Sequence, residues 1–375
     1  MKIAVNVRLL KHNQMTGIGI FTHETFSRLV KNHPEHTFYF IFDEKPHKSF
    51  LTAPNIIPIV TNFKSRHRSI LLHLWFEYVL TRVLKKIKPD LFISPDGFMS
   101  LKTDIPTLLV IHDLNFEHNF NFIPTKISNF YKKYTPKYAH KANRIATVSE
   151  FSKQDIISKY EIDSKKIDVV HNGAKEIFFP IKEDQQQAYR DQHTSGFPFF
   201  IFVGMIHPRK NLANQLKAFD LFRSKPENPK HKFYIVGKTW ILDDELKNTL
   251  LEMKFKEDVI FAGRIPSEDM GKAIGSATAL MYVSLFEGFG IPIIEGFNSE
   301  TPVITSNTTS MPEVAGDAAI CVPPNDIEEI ETAMSQIVQN QNFKEDLIKK
   351  GKERKHIYSW EKTAELLWES ISKMI

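Results

Sequence analysis

Cysteine is almost missing. Cys321 is the only one in 375 residues, which excludes a disulfide framework and a thiolate metal site. Long apolar runs are missing too. The opening Met1-Lys-Ile-Ala-Val-Asn-Val-Arg8 is cut short by Arg8, and nothing later approaches ~18 uninterrupted apolar residues. The expectation is a cytoplasmic protein that does not span a membrane. No Gly-x-x-x-x-Gly-Lys-Ser/Thr loop occurs, so ATPase chemistry is not expected. No Asp-x-Asp pair closes a strand, and Asp243-Asp244-Glu245 reads as charge at a helix start. The histidines show no ligand spacing, so neither a metal nor another cofactor is expected. Solenoid repeats and low-complexity tracts are absent as well.

What is present is ordinary globular material: 42% hydrophobic and 25% charged residues, with 30 Phe that argue against disorder. The length suggests two or three domains. The net charge of +5 conceals an asymmetry, since residues 1–180 carry 26 Lys/Arg against 16 Asp/Glu while the remainder is acidic. Basic stretches lie at Lys64-Ser-Arg66-His-Arg68, at Lys85-Lys86-Ile-Lys88 and from Lys126 to Arg144. They suit either a solvated surface or a front half that faces an anionic membrane or a diphosphate-lipid acceptor. No nucleic-acid motif accompanies them, and nucleic acid is not an expected partner.

Short runs rich in Val, Ile and Phe alternate with segments of helical period. Strands are expected at Lys2–Val7, Thr37–Phe42, Ile57–Val60, Leu91–Ser94, Thr107–Ile111, Arg144–Val148 and Ile167–Val170 in the front half. In the back half they are expected at Phe199–Gly204, Lys232–Val236, Asp258–Ala262, Ala279–Val283, Pro302–Thr305 and Ala318–Val322. Helical stretches such as Ile70–Lys86, Asn211–Arg223 and Asp326–Val338 lie between them. The alternation predicts an α/β protein of two Rossmann-like, doubly wound domains facing a cleft. The polar stretch 181–197 reads as a linker between residues 1–180 and a second domain at 198–355.

Four constellations carry chemistry. In Tyr282-Val-Ser-Leu-Phe-Glu287-Gly288-Phe289-Gly290-Ile291-Pro292-Ile-Ile-Glu295, a strand ends in a glycine-bearing loop and Pro292 opens a helix. The first-turn amides would favour a diphosphate, and Glu287 and Glu295 can each accept from vicinal hydroxyls. Gly204-Met-Ile-His-Pro-Arg209-Lys210-Asn211 sets two cations at a strand's end, where a pyrophosphate suits them, with Asn211 as the expected helix cap. Met15-Thr-Gly17-Ile-Gly19 invites a dinucleotide reading with Asp43 or Glu44 as ribose partner. Thr22 stands where that fingerprint needs a third glycine, so a glycine loop leaning over the cleft fits better. Finally, His112 closes the strand at Thr107–Ile111, where it could serve a reacting group or simply cap a strand, and His171-Asn172-Gly173 reads as a turn.

Taken together these stretches resemble the retaining glycosyltransferases of the GT-B fold, family 4, also called group 1. The resemblance covers nearly the whole chain. Glu287 to Glu295 matches the family's Glu-x7-Glu signature, and Pro208-Arg209-Lys210-Asn211 matches its phosphate-binding loop. Val110-Ile-His112-Asp113, Ala146-Thr-Val-Ser149, Val170-His-Asn172-Gly173, Val259-Ile-Phe-Ala-Gly263-Arg264 and Asp317-Ala-Ala through Pro324 also match. Tyr358-Ser-Trp360-Glu361 resembles the segment that carries the last helix, here 356–375, back to the front domain.

The resemblance implies roles. Glu287 would contact the donor sugar, Gly288, Phe289, Gly290 and Ile291 would offer amides to it and the diphosphate, and Glu295 would hold the ribose diol. Arg209 and Lys210 would bind the diphosphate, and Arg264 and Ile265 would meet the base. His112 would sit by the anomeric carbon, and Gly17 and Gly19 would let the front domain approach the phosphates. Many relatives carry an arginine directly after the glycine at Gly204, where this chain has Met205. The implied activity is metal-independent, retaining transfer of a hexose from a nucleotide sugar to a glycan or lipid-linked acceptor. GDP-mannose is the first expectation for the donor and a UDP-sugar the second; the setting would be cell-surface polysaccharide assembly, at the inner face of the membrane. A sugar-nucleotide epimerase of the same architecture and a non-catalytic nucleotide-sugar-binding subunit are the alternatives.

Overall fold

The computed structural model describes residues 1–12, 15–63, 69–118, 122–239 and 243–375. The basic stretch at 64–68 lies outside the described residues. The chain divides into two compact units, one of Met1–Asn172 with Trp360–Ile375 and one of Gly173–Ser359.

The first unit holds a seven-stranded parallel sheet. Its strands are β1 (Lys2–Asn6), β2 (Thr37–Phe42), β3 (Ile56–Val60), β4 (Leu91–Ser94), β5 (Thr107–Val110), β6 (Arg144–Thr147) and β7 (Ile167–Val169), in the order β3-β2-β1-β4-β5-β6-β7. The central strands β1, β4 and β5 are almost wholly buried, so they read as apolar runs without alternation. Helices α1 (Gly17–Asn32), α2 (Ser69–Leu74), α3 (Thr81–Ile87), α4 (Thr125–Lys141) and α5 (Glu150–Tyr160) connect them.

The periodicity of Ile70–Lys86 predicted one helix, but a π-helical turn at Trp75–Leu80 interrupts it. The wider turn brings Trp75, Phe76, Glu77 and Leu80 inward together. Buried Glu77 then accepts from the Leu101 amide at 2.9 Å, and Thr81 donates to the Phe76 carbonyl at 3.1 Å.

The second unit holds a six-stranded parallel sheet. Its strands are β8 (Phe199–Val203), β9 (Lys232–Val236), β10 (Val259–Gly263), β11 (Ala279–Tyr282), β12 (Val303–Ser306) and β13 (Ile320–Val322), in the order β10-β9-β8-β11-β12-β13. Its helices are α6 (Glu183–Thr194), α7 (Leu212–Ser224), α8 (Asp244–Glu252), α9 (Ser267–Gly275), α10 (Ile291–Asn298), α11 (Met311–Ala315), α12 (Ile327–Gln339) and α13 (Gln341–Arg354). Phe200, Phe202, Phe219, Phe222 and Phe233 fill one side of the sheet. Both units thus follow one doubly wound plan, in which the first and fourth strands of each unit lie side by side and the connections depart in opposite directions. The crevice at the carboxyl ends of those two strands is the place where such folds bind ligands.

Two boundaries differ from the sequence reading. The stretch 181–197, expected to be a linker, contains helix α6, and the division falls at Asn172/Gly173. Only Tyr189 and Thr194 of α6 are buried, too narrow a stripe to stand out in a polar sequence. Arg190 ties the helix to the unit by donating to the Ser276 carbonyl at 3.0 Å. The last helix, α14 (Trp360–Ser372), belongs to the first unit. Trp360 packs edge-on against Phe21 of α1, Arg28 donates to Glu361 at 2.7 Å, and Ser370 and Lys373 bind Asp168 at 2.6 and 2.7 Å.

Candidate active site

In the second unit, the loops after β8 and β11 meet over the switch point between those strands. Pro208–Lys210 forms a 3-10 turn, with the His207 ring accepting from the Arg209 amide at 3.2 Å. That turn aims both cations at one carboxylate. Arg209 Nη1 donates to Glu287 Oε2 at 2.5 Å, and Lys210 Nζ donates to Glu287 Oε1 at 2.6 Å. Arg209 also donates to the Phe286 carbonyl at 2.6 Å, and Lys210 to the Tyr282 hydroxyl at 2.9 Å. Glu287 is buried. Burial would raise its pKa, but the charges of Arg209 and Lys210 outweigh that and hold it at about 2. Tyr282 is buried as well, and burial beside the Glu287 charge pushes its phenol well above the ordinary value.

The third wall of this site is the loop after β12. Thr309 Oγ accepts from the Glu287 amide at 3.3 Å, and the Ser310 hydroxyl lies 2.9 and 3.0 Å from the carbonyls of Glu287 and Phe289. Gly290 caps α10 with φ +105°, and a Cβ there would stand 3.0 Å from Ile293. Glycine is therefore favoured by conformation, and a side chain there would also press on the tip of Ile293. Gly288 and Phe289 are buried, whereas Ile291 is half-buried at the helix start with Pro292 beside it. In the first turn of α10, Pro292 has no amide hydrogen and the Ile293 amide donates to the Gly290 carbonyl at 3.0 Å, so Ile291 carries the first-turn amide left for a ligand.

Glu295 lies one turn further along α10 and is half-buried. Burial raises its pKa to about 7, against the pull of Lys175 and Lys210. Arg264 and Ile265 follow β10 at the same, carboxyl, end of the sheet, with Arg264 exposed and Ile265 half-buried. Met205, at the position where many relatives carry an arginine, is exposed.

The first unit repeats the arrangement at its own switch point. Arg8 follows β1, Asp96 follows β4, and Arg8 Nε donates to Asp96 Oδ2 at 2.6 Å with both groups buried. Ser94 supports Asp96 at 3.2 Å, Asn6 donates to Ser94 at 3.1 Å, and the Arg8 guanidinium lies 5.8 Å from the ring centres of both Phe76 and Phe98. His112 follows β5, the neighbouring strand. Its Nε2 is 2.8 Å from the Pro95 carbonyl, which can only accept, so Nε2 carries the proton and Nδ1 is the basic nitrogen. Burial lowers its pKa, against the pull of the Pro95 carbonyl and nearby Asp113 and Asp96, and favours the neutral ring. Sequence reading found His112 but missed Arg8 and Asp96, which are brought together only by strand order.

Other expectations are modified. Gly17 and Gly19 open α1, as the glycine loop was expected to do. A Cβ at Gly19 would lie 2.9 Å from the Leu9 carbonyl, so this glycine serves an internal close approach, while Gly17 faces open space. Asp43 and Glu44, the partners of the dinucleotide reading, both receive Lys11 at 2.6 Å. Asn211 occupies the cap position of α7 but does not cap it. Left-handed at φ +57°, it sends its amide to the carbonyls of Val283 and Pro324 at 3.1 and 2.6 Å. Asp243 does cap α8, accepting from the Leu246 amide at 2.8 Å. The histidines, which showed no ligand spacing in sequence, include one group that the fold gathers: His33, Glu35 and His36 offer ligand atoms within 4.8 Å of one another. Their turn closes tightly enough to set residues 33 and 36 side by side. Among the described residues, no helix is long and apolar enough to cross a membrane.

Comparison with known proteins agrees with this geometry. Residues 185–354 match the family described as Glycosyl transferases group 1, and residues 15–175 match Glycosyltransferase Family 4. O-antigen chain mannosyltransferase B of Escherichia coli is 25% identical over 74% of this chain and 73% of its own length. O-antigen chain mannosyltransferase RfbU of Salmonella typhimurium is 28% identical over 81% of this chain and 80% of its own. Among solved structures, sucrose-phosphate synthase from Thermosynechococcus elongatus superposes with a TM-score of 0.80 at 15% identity, over 99% of this chain and 98% of that one. With two doubly wound units, a basic pair bound to the first glutamate of the Glu-x7-Glu stretch, and family matches along most of its length, the chain belongs to the group 1, family 4 glycosyltransferases of the GT-B fold, enzymes that use nucleotide sugars.

Proposed function

We propose that this enzyme transfers a hexose, mannose from GDP-mannose first and a UDP-sugar second, to a glycan or lipid-linked acceptor in cell-surface polysaccharide assembly. Transfer would proceed with retention and without a metal ion. The observation that carries the reading is the convergence of Arg209 and Lys210 on Glu287 beside the start of α10. Mannose is favoured by the O-antigen mannosyltransferases among the relatives.

In this reading the bond from the anomeric carbon to the diphosphate oxygen breaks while a bond to the acceptor oxygen forms on the same face. The acceptor's proton passes to the departing phosphate. Charge grows on the diphosphate as it leaves, so Arg209, Lys210 and the Ile291 amide stabilise the transition state more than the ground state. Glu287, ionised throughout the neutral range, keeps lone pairs for the sugar's hydroxyls. Glu295 accepts from the ribose diol, Arg264 and Ile265 meet the base, and His112 offers Nδ1 near the anomeric carbon. The open space at Gly17 leaves room for a phosphate beside the start of α1, where Gly19 lets the helix pack close to the Leu9 carbonyl.

The acceptor side would lie on the first unit, in peripheral contact with an anionic membrane. Exposed Ile70, Leu74 and Tyr78, followed by exposed Arg82, Lys85 and Lys86, run along one segment. An apolar stripe ending in cations suits a lipid interface.

Thermal shift with GDP, GDP-mannose, UDP and UDP-sugars tests the donor, because a ligand that binds only the folded state raises its melting temperature. GDP-mannose should shift it most; a response confined to UDP-sugars moves the assignment to the second donor. Retention is read from the product's anomeric configuration by NMR. Metal independence is read from transfer in excess EDTA, and loss of transfer there would reject it.

A further inference from the structure

The turn between α1 and β2 gathers three side chains of metal-ligating type that the proposed catalysis does not use. The sequence His33-Pro34-Glu35-His36 leaves α1 at its end, and Pro34 fixes the backbone where the chain reverses. The His36 amide donates to the His33 carbonyl at 3.2 Å, closing the turn. One side-chain nitrogen, Asn55 Nδ2, lies 3.0, 3.2 and 3.0 Å from the carbonyls of Val30, His33 and His36, so the loop is held from below. The two imidazoles are parallel within 9°, and Trp368 of α14 stacks on His33 with ring centres 3.5 Å apart.

The donor atoms converge. Glu35 Oε1 lies 3.6 Å from His33 Nδ1 and 3.3 Å from His36 Nε2, and all three atoms fall within 4.8 Å of one another. In a tetrahedral zinc site with bonds of about 2.0–2.1 Å, neighbouring ligand atoms stand about 3.3–3.4 Å apart. Two edges of the required triangle are therefore already near their bonded length. We propose that His33, Glu35 and His36 bind one Zn²⁺ ion, or a similar borderline divalent ion, with a fourth position open to water.

The donor set is the right one for such an ion, two imidazoles and a carboxylate. His36 turns its Nδ1 toward the Met1 amino group at 3.3 Å, which orients Nε2 to the metal. The site belongs wholly to the first unit and shares no residue with the Arg209–Lys210–Glu287 cluster.

The test uses full-length protein free of any affinity tag. Titration with Co²⁺ should give one equivalent with visible ligand-field bands, displaced by Zn²⁺, and calorimetry with Zn²⁺ should show the same stoichiometry. His33→Gln and His36→Gln should each abolish saturable binding. Glu35→Gln, at a side chain that is 58% exposed and so safe for folding, should weaken Zn²⁺ about tenfold or more. Absence of both signals in the unaltered chain overturns the proposal. So does Zn²⁺ binding that Glu35→Gln and whichever folded histidine variants are obtained leave unchanged.

Discussion

Arg209 donates to Glu287 at 2.5 Å, so two groups that sequence reading assigned to different parts of a bound nucleotide sugar are bonded to each other. Lys210 shares the same carboxylate. The glutamate therefore has a structural duty before any substrate duty: it bridges two cations packed at the carboxyl ends of β8 and β11 and leaves the trio one net positive charge.

Glu287→Gln should accordingly do two things. It should remove the shared anion and destabilise the second unit by about 3 kcal/mol, as the breaking of a buried ion pair does. It should also abolish most transfer even where the variant remains folded. Urea denaturation followed by far-ultraviolet circular dichroism reads the first effect, and initial rates at saturating donor read the second. Full transfer by a folded variant would remove Glu287 from the site.

Acid should act through the same residue. Its folded pKa of about 2 lies below the ordinary 4.5. The stability it contributes is therefore present above pH 4.5 and is lost as pH falls toward 2. In Glu287→Gln that part of the acid sensitivity should be missing from a pH series of denaturation midpoints.

Glu295 should behave in the opposite sense. Its pKa rises from 4.5 to about 7 in the folded chain, so the folded form binds the extra proton between those values. Its contribution falls as pH climbs through that window and is lowest above 7. Glu295→Gln should remove this slope and gain about 2 kcal/mol at pH 8, an amount reduced from the full shift because the side chain is partly open to water. If the ribose diol selects the carboxylate, donor affinity should rise about tenfold from pH 6 to pH 8 in the unaltered chain and stay level in the variant. Isothermal titration at the two pH values decides this.

At the first unit's switch point, Arg8→Met should leave Asp96 buried without its cation and cost about 3 kcal/mol. The pair Arg8→Met with Asp96→Asn should cost less than the sum of the two single changes. A double-mutant cycle measures the coupling, and additive losses would mean that the pair is not an energetic unit.

Gly290→Ala should cost about 1–3 kcal/mol, since an L side chain is strained in that backbone region. Ile293 Cδ1, 3.0 Å from the new methyl, would also have to move. Circular dichroism on heating gives the loss. An unchanged melting temperature would show that the α10 cap tolerates a side chain.

Much of this was legible in the sequence because each local signal pointed the same way. Phe199-Phe-Ile-Phe-Val203, a short run of aromatic and β-branched residues ahead of Gly204, reads as a strand covered on both faces, and Gly290 with Pro292 announces a loop entering a helix. Signals that depend on distant partners were invisible. Arg8 and Asp96 are 88 positions apart and meet because β1 pairs with β4. Asn211 looked like a helix cap, yet its partners Val283 and Pro324 lie in loops far along the chain. Helix α6 hid because two buried residues are enough to dock it. Thr309 and Ser310 could have been suspected from the hydroxyl-rich Thr308-Thr-Ser310 after a strand, a run that favours turns over helix.

The return of α14 to the first unit has a consequence for biosynthesis. Arg28 and its partner Glu361 are separated by 333 positions, and Trp360 closes over Phe21. On the ribosome, the second unit can gather all its strands while residues 360–375 are still being made, but the part of α1 that Trp360 covers, around Phe21, must wait. The first unit, begun earliest, is thus finished last, and the interval is when a newborn chain depends most on chaperones.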